Sequence, residues 1–97
     1  MYEDFADNIL LIGHKTRLTM LIELSSGISL PAGELAKLAG VKPQTASEHL
    51  SKLVEANLIS VNTWGRHRYY KIDNDKVVDA INALSVISPP MLSLIHI

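Results

Sequence analysis

Apolar residues recur along most of the chain at the three- and four-residue spacing of an α-helix. Phe5, Ile9, Leu10 and Ile12 mark a first helix, and Gly13-His14 interrupts it. Leu18, Leu21, Ile22 and Leu24 mark a second helix from Thr16 to Leu24, ended by Ser25-Ser26-Gly27. Leu30-Pro31 is expected to open a short third helix with Leu35, Ala36, Leu38 and Ala39 inward, closed by Gly40 at the C′ position. Pro43 opens a fourth helix, where its missing N–H costs nothing. Ala46, Leu50, Leu53 and Val54 form that helix's buried stripe. The period then shortens to two. Leu58 to Thr63 and Arg66 to Ile72 alternate about a Trp64-Gly65 turn, which predicts a hairpin. Asn74 or Asp75 can cap a last helix running to about Ile87, and Pro89-Pro90 stops it. The expected fold is mainly α with a small β-hairpin, in the order α-α-α-α-β-β-α. It forms one domain over residues 1–88 and leaves 89–97 as a C-terminal tail.

Composition narrows the chemistry. The chain has 97 residues, 47% of them hydrophobic and 20% charged, enough for one real core. It has no Cys, so disulfides, thiolate metal sites and cysteine nucleophiles are excluded. No apolar run approaches the roughly 18–20 residues of a membrane span. Met1-Tyr2-Glu3-Asp4 is acidic, unlike a signal peptide, and the expected location is the cytoplasm. No pair of residues has nucleophile–base spacing and no Gly loop could cradle phosphate, so an enzyme is not expected. The net charge is −1, but its distribution is uneven. Residues 42–76 carry six bases and four acids, with three of the bases between Arg66 and Lys71.

That basic segment holds the chemistry. A short helix, a tight turn and a second helix can present the N-terminal half of the later helix to a DNA major groove. Gln44, Thr45, Ser47, Glu48 and His49 lie outward there, with Ser51 and Lys52 one turn on. Gln44, Thr45 and Ser47 have the donors and acceptors to read base edges. His49 and Lys52 can reach phosphates, and the helix N-terminus favours the same anion. Arg66 and Arg68 follow the hairpin turn and can touch backbone or enter a minor groove. Each has a plainer reading. His49 can be a surface hydrogen-bonding residue, the two arginines can solvate a sheet edge, and Trp64 can pack across the hairpin.

With these residues in view, the chain resembles the ArsR/SmtB family of winged helix-turn-helix repressors from about Leu11 to Ile87. Gly13-His14-Lys15-Thr16-Arg17-Leu18 is similar to the family's opening pattern. Glu34-Leu35-Ala36-Lys37-Leu38-Ala39-Gly40-Val41 is similar to its first helix and turn. Thr45-Ala46-Ser47-Glu48-His49-Leu50-Ser51-Lys52-Leu53 is similar to its recognition helix. Ala56-Asn57-Leu58-Ile59 and Gly65-Arg66-His67-Arg68-Tyr69-Tyr70-Lys71-Ile72 are similar to the exit into the wing and its return strand. The resemblance implies a DNA-binding transcriptional repressor. There are three departures. Lys42 stands where the family often has a Ser N-cap, and Glu48 stands where a basic residue often precedes the His. The metal-sensing Cys box is replaced by Leu35-Ala36-Lys37-Leu38, and the last helix offers Asp75 and Asp79 but no His. His14, His49, His67 and His96 are scattered, so no metal site and no cofactor are expected, and the effector stays open.

The terminal helices carry a second expectation. Between Val77 and Ile87 only Asp79, Asn82 and Ser85 are polar. A helix this apolar needs cover on more than one side. A symmetric homodimer through Phe5, Ile9, Ile12, Val77, Ile81, Leu84 and Ile87 supplies it. The dimer would set two recognition helices on a pseudo-palindromic operator in double-stranded DNA, in major grooves about 34 Å apart. The alternative is a winged-helix protein-interaction module without specific DNA binding, favoured by the net charge, Glu48 and Lys42.

Overall fold

The computed structural model describes residues 2–86. Its elements are α1 (Tyr2–Ile12), α2 (Lys15–Leu24), β1 (Leu30–Pro31), α3 (Ala32–Ala39), α4 (Pro43–Glu55), β2 (Ser60–Trp64), β3 (His67–Lys71) and α5 (Asp75–Val86). This is the winged helix-turn-helix architecture. The core gathers Met20, Leu21 and Leu24 of α2, Leu35 and Ala36 of α3, and Ala46, Leu50 and Leu53 of α4. Leu58, Ile59, Tyr70, Ile72 and Ile81 close it from the sheet side and from α5.

Local chemistry sets the helix ends. Gly40 takes the left-handed conformation at φ +69°. Its N–H reaches the Lys37 carbonyl and the Val41 N–H reaches Ala36, the paired bonds of a Schellman stop. Helix α4 ends in the same way. Asn57 sits at φ +60°, with Asn57 N–H on Val54 O and Leu58 N–H on Leu53 O. Asn is the residue other than Gly that tolerates this conformation best. Helix α5 starts at Asn74, whose Oδ1 accepts from the Lys76 N–H at 2.9 Å.

The sheet is antiparallel in the order β1-β3-β2. Trp64 pairs with His67, so Gly65 and Arg66 alone make the turn. Gly65 takes φ +61° at the first central position, as a two-residue hairpin loop with Gly there requires. Arg66 therefore lies in the turn itself. Alternation puts Val61, Thr63, Arg68 and Tyr70 on the face toward α4, and Asn62, Trp64, His67 and Tyr69 on the outer face.

Two expectations are corrected. Leu30-Pro31 does lead into the third helix, with Pro31 at its N-cap, but the two residues themselves form a strand pairing Leu30 with Tyr70 and Pro31 with Tyr69. Pro31 has no N–H to give, which suits an edge strand, and it then stands as the residue before α3. Leu38 is exposed on the outer side of α3, because the core side of that short helix is filled by Leu35 and Ala36.

Candidate nucleic-acid interface

Helix α4 opens without a side-chain cap. Lys42 occupies the N-cap with extended backbone and accepts no N–H through its side chain. Pro43 has no N–H, so the amides of Gln44 and Thr45 are the ones left without helical partners. An anion brought to this end meets those two amides and the positive end of the helix dipole. Gln44, Ser47, Glu48, Ser51 and Lys52 are exposed on α4, and Thr45 is half-buried. Ala46, Leu50 and Leu53 face inward and fix which side of the helix is presented.

The hairpin stands beside this helix. Ser51, Val54 and Glu55 of α4 line one shallow cavity with Val61, Arg68 and Tyr70 of the wing. Tyr70 anchors the wing at its base, and Arg68 lies further out on the same face. No acid occurs from Ser60 to Ile72. Among the described residues the one ion pair is Lys71 Nζ to Asp73 Oδ1 at 3.8 Å. Lys42, Lys52, Arg66 and Arg68 thus carry charges with no carboxylate partner among those residues.

His49 has a more particular setting than its outward spacing suggested. The ring is half-buried, and Arg17 Nη1 donates to its Nδ1 at 2.9 Å. Arg17 Nε donates to the Leu11 carbonyl at 2.7 Å. His14, whose own Nδ1 caps the Thr16 N–H at 3.1 Å, lies against His49 with ring centroids 4.5 Å apart. Burial above all, then the neighbouring His14, Arg17 and Lys52, hold the His49 imidazole below its ordinary 6.5, with Glu48 acting weakly the other way. Sequence reasoning missed Arg17. It falls on the stripe of Leu21 and Leu24, at i+4 and i+7, and a charge on an apolar stripe is the signal that could have found it. It is the one buried charged side chain among the described residues, at 9% exposure. Trp64 was expected to pack across the hairpin; its side chain is 73% exposed.

The expected interface residues divide. Phe5 and Ile9 of α1 are 64% and 52% exposed, and Leu84 of α5 is exposed too. With Ile12, Val77, Ala80 and Leu58 they line an open apolar groove of about 470 Å³ between α1 and α5. Ile12 and Val77 are half-buried. Ile81 is corrected: it is buried in the protomer's own core, because its side of α5 packs inward. Ile87 and the tail with His96 lie outside the described residues.

A helix-turn-helix domain model matches residues 12–62. The chain is 49% identical over 79 residues to an uncharacterized HTH-type transcriptional regulator, YdfF of Bacillus subtilis (strain 168), covering 81% of this chain and 35% of that protein. The chain thus spans about a third of that relative's length. It is 30% identical over 73 residues to the HTH-type transcriptional regulator YgaV of Escherichia coli (strain K12), covering 75% of this chain and 70% of that one. The chain belongs to the helix-turn-helix transcriptional regulators.

Within that family its structure is of the winged-helix kind. NolR from Sinorhizobium fredii superposes with a TM-score of 0.81 at 31% identity, covering 90% of this chain and 86% of that one. The homodimeric winged helix-turn-helix DNA-binding domain of Mb0332 from Mycobacterium bovis, a possible ArsR-family regulator, gives 0.81 at 23% identity, covering 94% and 83%; that likeness concerns the fold. The relatives so matched are HTH-type transcriptional regulators. No helix among the described residues is long and apolar enough to cross a membrane.

Proposed function

We propose that this regulator is a cytoplasmic homodimer that represses transcription by binding a pseudo-palindromic operator. The observation that carries the reading is that α4, a helix with an uncapped N-terminus and a polar outer face, packs through its C-terminal half against an acid-free cationic wing. Gln44, Thr45 and Ser47 read bases. His49, Lys52, Arg66 and Arg68 hold phosphates. Such a division is typical, since phosphate contacts position the protein and base contacts specify the site. The exposed groove between α1 and α5 supports the dimer, because contiguous apolar surface of this kind marks an interaction site. A second copy laying its own α1 and α5 there makes a self-complementary two-fold contact. The sense of regulation, repression, follows the ArsR/SmtB resemblance.

A fluorescence-anisotropy titration of the full chain against duplex from upstream of its own gene tests this. Tight, salt-sensitive binding that random duplex of equal length does not match is expected. Weak binding, equal on both duplexes, would make the protein an interaction module instead.

A further inference from the structure

Arg17 is buried without a carboxylate partner among the described residues. A buried guanidinium is costly unless its donors are met. Here two of its five N–H groups are met by acceptors on different elements, the Leu11 carbonyl in the last turn of α1 and Nδ1 of His49 in α4. The last carbonyls of a helix lack partners and carry its negative dipole end, and α1 has no basic residue of its own there. Arg17, from the next helix, supplies that cation and at the same time grips α4.

The grip settles the protonation of His49. Arg has donors only, so the ring nitrogen facing it must be an acceptor. The proton of neutral His49 is then on Nε2. That atom has no protein partner among the described residues, and no buried side-chain nitrogen or oxygen there lacks one, so Nε2 is open to solvent. The groups facing the ring are His14 from the turn before α2, Arg17 from α2, and Lys52 and Glu48 from α4 itself.

We propose that Arg17 is a positioning residue for DNA binding: it fastens His49 to the end of α1 so that the ring meets the DNA backbone as an uncharged Nε2–H donor. The proposal rests on the DNA-binding reading above, and it links the helix expected to face a second protomer to the helix expected to face the operator. His49 acts on phosphate by a directed hydrogen bond and not by charge.

The test uses the full chain, the upstream duplex and a random duplex of equal length. In the free protein near neutral pH, two-bond histidine ¹H–¹⁵N spectra should show His49 as the Nε2–H tautomer and should still show it on DNA. His49→Gln can accept from Arg17 through Oε1 and donate through Nε2, so it should keep affinity within about threefold of wild type. His49→Lys puts a cation against Arg17 and should lose roughly five- to tenfold, the scale of one hydrogen bond made or lost. Arg17→Met should lose a similar factor while folded and should scramble the His49 tautomer. A doubly protonated His49 in the complex, or His49→Lys binding better than His49→Gln, overturns the proposal. So does weakened binding by folded Arg17→Met with the tautomer intact. If wild-type protein shows no salt-sensitive binding, the DNA reading fails with it, and that failure is told apart because it appears before any variant is compared.

Discussion

At the residue scale the proposed interface divides into side chains that would hold backbone and side chains that would read sequence. Arg66 stands in the turn with no partner acid among the described residues, so Arg66→Ala should weaken binding to every duplex alike. The log–log salt slope should fall by about 0.9 for the one phosphate released. Anisotropy at several salt concentrations measures both, and an unchanged slope would place the wing off the DNA. Gln44→Ala should behave differently. Specific binding should drop by about 1–3 kcal/mol while random-duplex binding holds. Equal losses on both duplexes would remove Gln44 from base reading. His49 also makes a prediction about stability. Its folded pKa lies below the 6.5 of the unfolded chain. The unfolded state therefore takes up its proton first as pH falls, and stability drops from about pH 7 downward through the folded pKa. Above the unfolded value the contribution is fully present. Urea denaturation across pH should show a steeper loss for wild type than for His49→Gln; parallel curves would mean the ring is not held neutral. Most of these residues were legible in the sequence because outward positions on α4 follow from its apolar stripe. The Arg17–His49 link was not legible, because the partners are 32 positions apart and no local spacing joins them.

At the element scale the helices were legible because their apolar positions repeat and their ends carry Gly40, Pro43 and Asn74. The stop at Asn57 was legible only as part of a family resemblance. Strand β1 was hidden because two residues show no period, and Pro31 reads equally well as the start of a helix. The weak point of α4 is Lys42. Lys42→Ser should supply the missing cap and raise stability by roughly 0.5–1.5 kcal/mol. For a domain of this size each kcal/mol moves Tm by about 4–8 °C. A thermal melt with no gain would mean that the first turn is satisfied in another way. The same substitution removes a cation from the end of α4, so tighter folding should come with slightly weaker DNA binding.

For the whole molecule, the proposed dimer rests on the outer faces of α1 and α5. Ile9 is half-exposed and lines the groove without entering the core. Ile9→Glu should leave helix content unchanged by circular dichroism and convert the dimer to monomer by analytical ultracentrifugation. Operator affinity should fall more than random-duplex affinity, because only the operator rewards two linked half-site contacts. Wild-type protein sedimenting as a monomer at micromolar concentration would remove the dimer from the proposal. The apolar excess of the last helix was visible in the sequence. The inward direction of Ile81 was not, since a helix apolar on most sides does not show which side its own core takes.

The two-residue strand has a mechanical consequence. Leu30 and Pro31 are bonded to the middle of the wing, and the next residue along the chain is already in α3. The wing is thereby tied through β1 to α3, the helix packed against α4, like one jaw of a caliper. In the proposed complex such a tie should favour one spacing, in base steps, between the α4 contact and the wing contact. Loosening it with Leu30→Gly should blur the edges of a hydroxyl-radical footprint while leaving the centre of protection in place.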